Sequence, residues 1–166
     1  MAEQMRVARR YSRLPLVLAG LSLLAGCSSK PPPPPPPPKP TIITATVDAS
    51  AAVNPDAKGR ASPIVVRLFE LKSIAAFNSA DFFSLWDRER ETLSENMIGR
   101  DEFQLRPGEQ KSFERTLQPD TRYVGVIAAF RDLERSSWRS TVAIVAHQTQ
   151  PVAVKLDARS VTISGK

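Results

Sequence analysis

An unbroken run of eight prolines, residues 31–38, divides this 166-residue chain into two unequal parts. Each proline fixes φ near about −65° and disfavours the α region for the residue before it. The run is therefore expected to be an extended polyproline II segment, rising about 3.1 Å per residue. Residues 28–40 could then act as a tether up to roughly 40 Å long. A passive spacer is the favoured interpretation, and a docking site for a proline-binding protein is the alternative.

The residues before the prolines have the pattern of a secretory leader. Arginines are frequent between residues 1 and 13, and an apolar stretch of about ten residues follows. That stretch is far shorter than the roughly 20 apolar residues that span a bilayer. It ends in the lipobox Leu24-Ala25-Gly26-Cys27. The pattern resembles bacterial lipoproteins generally and predicts cleavage before Cys27, with acylation of that cysteine. An ordinary secreted protein with a chance cysteine is the alternative.

This pattern predicts that the chain is divided into three parts. Residues 1–26 are expected to be a signal peptide, residues 27–40 the lipidated cysteine with its proline-rich tether, and residues 41–166 one domain. Half of the formal charge of +6 lies in the leader, so the mature protein is only mildly basic. Its mixed charges do not form the basic stripe of a nucleic-acid-binding protein. Cys27 is the only cysteine, so its acylation would leave no thiol for a disulfide.

The part after the prolines has the alternating apolar pattern of a β protein. Short β-branched and apolar segments are separated by Pro, Gly, Asn and Asp, which favour turns. Seven or eight strands are predicted, at 41–48, 63–71, 97–105, 111–117, 123–130, 141–146, 151–156 and 160–164. This pattern predicts a two-sheet β-sandwich with one helical insertion after the second strand.

The predicted insertion has helical spacing rather than alternation. Asn78 or Ser79 is the expected cap, with Asp81 in the first turn, where a negative charge suits the helix dipole. Four apolar residues then share one face, with Phe83 beside it, and we expect them to pack in the core rather than to line a ligand site. These residues are Phe82, Leu85, Trp86 and Leu93.

The inventory of reactive residues argues against an enzyme. His147 is the only histidine, and the Gly-x-Ser-x-Gly and His-Glu-x-x-His patterns are missing from the sequence. We expect no catalytic residues, no metal site and no cofactor other than the lipid. A cell-wall hydrolase remains an alternative hypothesis. Two buried carboxylates that face a groove would support it. Its candidate carboxylates, most with a basic neighbour, are Asp81, Asp87, Glu89, Asp101, Glu102, Asp132 and Glu134.

The predicted connection between the first two strands, residues 49–62, is long for a link between strands. Loops of that length often carry function, although composition alone favours an ordinary surface loop. The same residues open a series of motifs that occur in a particular order. Asn54-x-Asp56-x-x-Gly59-Arg60-x-Ser62-Pro63 leads into an apolar strand. The later motifs are Ala80–Leu85, Leu105–Glu109, Val126–Asp132 and Trp138-Arg139.

Behind a lipobox, this order resembles the TssJ family of outer-membrane lipoproteins of the type VI secretion system, over residues 47–163. The resemblance implies a transthyretin-like two-sheet β-sandwich, anchored by lipid to the outer membrane and facing the periplasm. It implies a scaffold that binds the C-terminal periplasmic region of TssM, and through it TssL, with no nucleic acid and no small-molecule substrate.

The resemblance also assigns partner binding to the loop at 49–62. The site residues it implies are Asn54, Pro55, Asp56, Ala57, Lys58, Gly59 and Arg60. The main rival hypothesis is a lipid-anchored carrier or chaperone of a small ligand or an outer-membrane protein. That rival predicts an apolar pocket between the two sheets rather than a binding loop.

Overall fold

A computed structural model describes residues 34–165, in which two four-stranded sheets pack face to face. The predicted signal peptide, Cys27 and prolines 31–33 lie outside the described residues. Residues 34–40 are exposed and have no regular secondary structure. Within the described residues, no helix has the length and apolar character needed to cross a membrane.

The order of elements confirms the predicted fold class. The strands are β1 Thr41–Ala49, β2 Ile64–Leu71, β3 Met97–Leu105, β4 Gln110–Leu117, β5 Tyr123–Ala128, β6 Arg139–Ala143, β7 Thr149–Leu156 and β8 Val161–Gly165. The helices are α1 Ala75–Ser79, α2 Phe82–Asp87 and α3 Glu89–Leu93, with 3₁₀ turns at Ser94–Asn96 and Leu133–Arg135. The predicted strands are all present, but β6 begins two residues earlier than expected and stops at Ala143, before the expected end.

The strand order is β4-β1-β7-β8 in the first sheet and β3-β2-β5-β6 in the second. Neighbouring strands are antiparallel, except that β1 and β7 are parallel. All odd-numbered strands therefore run towards one end of the sandwich, which we call the loop end. It carries the connections 50–63, 106–109, 129–138 and 157–160. The opposite end, where Thr41 begins β1, is called the tether end.

Side chains from the inner faces of both sheets fill the space between them. Val47 and Val154 of the first sheet, and Val66 and Val126 of the second, are fully buried there. The alternation seen in the sequence is thus the alternation between inner and outer faces of each strand. This packing holds the loop end on a rigid base.

A second apolar cluster lies on the outer face of the second sheet, beneath the helices. Phe69 and Phe77 meet edge to face there, with ring centroids 5.6 Å apart. A Cβ on Gly125 would lie 2.8 Å from Cζ of Phe77, so this strand position needs a glycine for the helices to approach. The insertion therefore covers the sheet face that would otherwise be exposed and apolar.

The helical insertion differs from the prediction in its division and in its cap. Three short helices replace the single expected one, because Ala80 and Asp81 are extended between α1 and α2 and Arg88 leaves helical geometry (φ −130°, ψ 36°) between α2 and α3. Asp81, expected in the first turn, is the N-cap of α2 instead, and it accepts the backbone N–H of Ser84 at 2.9 Å.

The predicted core face of the insertion is confirmed for three of its four residues. Leu85 and Leu93 are fully buried, and Phe82 is 8% exposed. Trp86 is half-buried, and the flanking Phe83 is 62% exposed. The insertion is thus a packing element, as its apolar periodicity indicated.

Candidate functional site: the β1–β2 loop

The β1–β2 loop, residues 50–63, begins one residue later than predicted, because Ala49 is the last residue of β1. Val53 is fully buried, and backbone hydrogen bonds join it to both sides of the loop. Its N–H donates to Ser50 O at 3.1 Å, and its carbonyl accepts from Ser62 N at 3.1 Å. The base of the loop is therefore fixed to the sandwich rather than free to swing.

Asn54 is the next residue, and it is 4% exposed with φ at +51°. Its side-chain amide donates to Pro63 O at 2.8 Å and accepts from Arg131 N at 2.8 Å. Its backbone N–H donates to Ala158 O at 3.1 Å. The side chain and the backbone N–H of Asn54 therefore connect the β1–β2 loop to two other connections of the loop end, 129–138 and 157–160.

The tip of the loop is a closed turn organised by the Asp56 carboxylate. Oδ1 accepts the backbone N–H groups of Lys58 at 2.8 Å and Arg60 at 3.0 Å. Oδ2 accepts from the Arg60 guanidinium at 2.8 Å. Gly59, at φ +78°, supplies the left-handed residue that closes the turn. The tip thus has one defined shape before any partner arrives.

Hydrogen bonds to the ionised carboxylate of Asp56 also lower the pKa of that group. The backbone hydrogen bond from Arg60, and then its side-chain hydrogen bond, lower the pKa of Asp56 below its ordinary value of 3.8, and each outweighs the opposing effect of desolvation. The hydrogen bond from Lys58 N lowers the pKa further by a smaller effect. Arg131 acts in the same direction through its charge. Asp56 is therefore a carboxylate at neutral pH and keeps the turn closed.

The predicted site residues divide into supports and exposed groups. Asn54 is buried with both ends of its amide bonded inside the chain, and Pro55 and Asp56 are half-buried. The exposed groups are Ala57, Lys58, Gly59 and Arg60. A partner that meets this loop would touch residues 57–60, while Asn54 and Asp56 hold them in place.

Other connections of the loop end interlock with the β1–β2 loop, which sequence reasoning did not foresee. Gly108 N donates to Ala49 O at 3.0 Å, and Ser137 N donates to Arg159 O at 2.9 Å. Together with the contacts of Asn54, these bonds join the connections into one surface. The only sequence signal was the turn chemistry of each connection taken alone.

Five of the seven hydrolase candidates take part in structural contacts. Glu89 and Glu102 share Arg67 and Arg100 in a four-charge network that fastens α3 to the second sheet. The hydrogen bond from Arg67 is the largest effect lowering the pKa of Glu102. Asp132 lies 3.7 Å from the Arg159 guanidinium. Asp81 caps α2, as described above.

Glu70 is a buried carboxylate that the sequence analysis did not single out. It accepts from Arg115 Nε at 2.7 Å, Thr121 Oγ1 at 3.0 Å and Gln118 N at 3.2 Å. Asp101 binds the same guanidinium. The cavity beside them measures about 10 Å³, room for about one water molecule. These carboxylates therefore neutralise a half-buried arginine instead of facing an open groove.

His147 is exposed at the tether end, with φ at +65°. Its N–H donates to Thr41 Oγ1 at 2.9 Å, and Nδ1 lies 2.9 Å from Lys39 O. Among residues 34–165, no three His, Cys, Asp or Glu side chains are grouped so as to hold a metal ion. His147 therefore lies at the junction of the tether with β1.

Comparisons with known proteins agree on one family. A family model described as "Type VI secretion lipoprotein, VasD, EvfM, TssJ" matches residues 41–159. The solved T6SS lipoprotein TssJ1 from Pseudomonas aeruginosa is 39% identical over 76% of this chain and 97% of its own, with a TM-score of 0.74. No curated protein sequence matches at a significant level.

Two further solved structures have the same fold. Lip from Serratia marcescens, a membrane-bound component of the type VI secretion system, is 27% identical over 76% of this chain and 98% of its own, with a TM-score of 0.69. A chain of a type VI membrane complex is 22% identical over 76% of this chain and 99% of its own, with a TM-score of 0.66. At that identity the last match concerns the fold alone.

Proposed function

Because this chain belongs to the TssJ family of type VI secretion lipoproteins, we propose that it is a non-catalytic scaffold of the type VI membrane complex. In this proposal the chain joins the outer membrane to TssM. The observation that carries it is the preformed, exposed tip of the β1–β2 loop, at the opposite end of the sandwich from the tether.

The anchor in this proposal is lipid on Cys27, in the inner leaflet of the outer membrane, with the sandwich in the periplasm. Residues 1–26 are the signal peptide and residues 27–40 the tether, in front of the domain at 41–166. Two or more acyl chains give stable anchoring, whereas one gives only marginal binding. Serratia marcescens Lip, described as membrane bound, supports this part of the proposal.

The partner in this proposal is the C-terminal periplasmic region of TssM, which links the chain indirectly to TssL. Residues 57–60 meet it, and Asn54, Pro55 and Asp56 fix their position. A preformed loop loses little conformational entropy on binding. Anchoring also raises the local concentration of the loop near a partner in the same envelope, so a modest interface is enough.

The rival hypotheses find less support in the structure. A carrier of a small ligand would need space between the sheets, but buried side chains fill that space, and the cavity reaching into it measures about 10 Å³. A hydrolase would need two carboxylates across a groove, but Glu70 and Asp101 are both bound to Arg115. A second candidate function is therefore not proposed.

The test is charge replacement at the tip, with a matched control on the outer face of the first sheet. The tip variant is Ala57→Glu with Lys58→Glu, and the control is Thr44→Glu with Lys155→Glu. All four positions are exposed, and both pairs make the same change in charge. We expect the tip variant to weaken copurification of the TssM periplasmic region from detergent-solubilised membranes about tenfold or more, and the control to retain it.

Thermal unfolding of both variants checks that the fold is intact. Full retention of TssM by a tip variant with an unchanged melting temperature would exclude the β1–β2 loop as the contact. Equal loss in the tip variant and the control would also exclude it, because the effect would then follow charge and not position.

A further inference from the structure

We infer that tension between the lipid anchor and the partner passes through β1, so that pulling on the complex does not stretch the rest of the sandwich. The inference deepens the proposed function and rests on it, because it takes Cys27 and the β1–β2 tip as the two attachment points. It assigns a mechanical role to one strand.

The first support is the position of β1 in the chain. The tether joins β1 at Thr41, and β1 ends at Ala49, where the β1–β2 loop begins at the other end of the sandwich. The covalent path from tether to tip therefore contains β1 and residues 50–57 only. The remaining strands, β2 to β8, lie after the tip in sequence and outside this path.

The second support is that β1 is already almost fully extended, so that pulling can lengthen it very little. It has nine residues in strand conformation, which span about 30 Å at a rise of about 3.3 Å each. A chain reaches at most about 3.6 Å per residue when fully extended. Stretching β1 would thus add only about 3 Å. A helix in the same place could roughly double its length under load.

The third support is the way β1 is held. Its backbone pairs with β4 from Thr41↔Leu117 to Asp48↔Gln110, and with β7 from Ile42↔Thr149 to Ala49↔Leu156. A force along the strand acts on all of these hydrogen bonds together instead of opening them one by one. Its inner side chains, Ile43, Ala45 and Val47, are buried in the core.

Both ends of β1 are also fastened. At the tether end, Thr41 Oγ1 accepts from His147 N at 2.9 Å, and Ile42 N donates to Gln148 O at 3.1 Å. At the loop end, Ala49 N donates to Glu109 O at 2.9 Å, and Ser50 N donates to Leu156 O at 2.8 Å. The buried Val53 and Asn54 then limit how far the loop itself can open.

The consequence is a bound on the length that load can release. Residues 41–58 measure about 60 Å when fully extended, and about half of that is already spanned by β1. Residues 58–165, by contrast, measure about 380 Å when fully extended. A load between the lipid anchor and a partner bound at the tip therefore passes along residues 41–58, the shorter of these two segments.

Single-molecule pulling on the complex of the full, unacylated chain with the TssM periplasmic region tests this inference. In the first geometry one handle is attached to the thiol of Cys27, the chain's only cysteine, and the other to TssM. The matched geometry moves the first handle to the C-terminal strand, with Cys27→Ser and Gly165→Cys. Both geometries use the same interface and the same fold.

We expect the first geometry to rupture at the interface with no earlier step from this chain longer than about 30 Å, which is the part of the roughly 60 Å path that β1 does not already span. The matched geometry should release several hundred ångströms, up to about 350 Å, as the sandwich unfolds before or during rupture. A step well above 60 Å in the first geometry that pulling on the TssM region alone does not produce overturns the inference, because load would then pass through other strands. Rupture in both geometries with no long step also overturns it. The sandwich would then withstand load equally well in both directions, and the path through β1 would make no difference.

These outcomes separate this inference from the function on which it rests. If the unmodified chain and the TssM region form no complex, the proposed function fails and the inference fails with it. If the complex forms and the first geometry gives a long step, only the inference is overturned. A melting temperature for the Cys27→Ser, Gly165→Cys chain within a few degrees of the unmodified chain confirms that the matched geometry starts from the same fold.

Discussion

At the residue scale, Asn54 shows how a polar loop residue can be a support instead of a contact. Its φ of +51° lies in the left-handed region, which asparagine tolerates better than most residues. Its side chain bonds Arg131 N, 77 positions along the chain. No local pattern contains that partner, so sequence reasoning placed Asn54 with the exposed residues 57–60.

Replacing Asn54 is expected to cost stability as well as loop geometry. Asn54→Ala leaves Pro63 O and Arg131 N without their partner and forces alanine into the left-handed region. We expect a loss of about 3 kcal/mol in the free energy of unfolding, measured by urea denaturation. Lys58→Ala, at an exposed tip position, should change it by less than about 0.5 kcal/mol. Equal effects for the two variants would contradict the supporting role of Asn54.

Asp56 gives a prediction about pH. The bonds from Arg60 and Lys58 favour the carboxylate and lower its pKa in the folded state. The closed turn is therefore fully stabilised above the unfolded value near 3.8, and it loses this stabilisation as the pH falls through the lower folded pKa. An NMR titration of the Asp56 carboxyl should show a midpoint below 3.8. Arg60→Ala should raise that midpoint, and an unchanged midpoint would contradict the assignment.

At the element scale, the strands were far more predictable than the insertion. Alternation in β1 and β7 follows directly from one buried and one exposed face, whereas the apolar run of β2 reflects burial on both faces. The division of the helices depends on Arg88 and on Ser94, whose φ is +48°, and neither residue type signals a break. Periodicity located the buried Leu85 and Leu93, but it could not show that their partners lie on the outer face of the second sheet.

The contact between that sheet and the insertion can be tested at Gly125. A Cβ there would lie 2.8 Å from Phe77 Cζ and 3.0 Å from Leu71 Cδ1. We expect Gly125→Ala to lower the free energy of unfolding by about 1–3 kcal/mol through overpacking. Gly165→Ala is the matched control, since its Cβ would approach nothing closer than 3.4 Å. Similar melting temperatures for the two variants would show that the helices shift to accommodate the added methyl group without loss of stability.

At the scale of the whole molecule, packing and one partly buried ion cluster join the two sheets. Arg115 projects from β4 of the first sheet to Glu70 of β2 and Asp101 of β3 in the second. The two-sheet architecture was predictable because the strand patterns imply two inner faces. The cluster was not, because Glu70 sits in an apolar segment and its partner is 45 positions away in sequence.

Removing the arginine should be costly because it leaves two acidic groups beside the core. We expect Arg115→Met to lower the free energy of unfolding by about 3 kcal/mol, the low end for a buried pair because Arg115 is half-buried, since it leaves the buried Glu70 carboxylate without its cation. Arg115→Met with Glu70→Gln should recover part of that loss, because the most buried charge is then gone. Urea denaturation measures both. No recovery in the double variant would show that the arginine acts mainly through packing.

The last prediction concerns the anchor and therefore the whole chain in its membrane. Cys27→Ser removes the proposed acylation site but leaves residues 41–166 unchanged, so we expect a folded protein that moves from the membrane fraction to the soluble periplasmic fraction. Copurification of the TssM region should persist, because the β1–β2 tip is intact, while killing of target cells by the secretion system should be lost. The measurement is membrane fractionation, the TssM pull-down and the killing assay on the same strains. The tip variant should give the complementary pattern, with membrane retention but TssM copurification weakened about tenfold or more. Full killing by a soluble Cys27→Ser protein would mean that binding alone is enough, and the chain would then have no need to bridge two layers of the envelope.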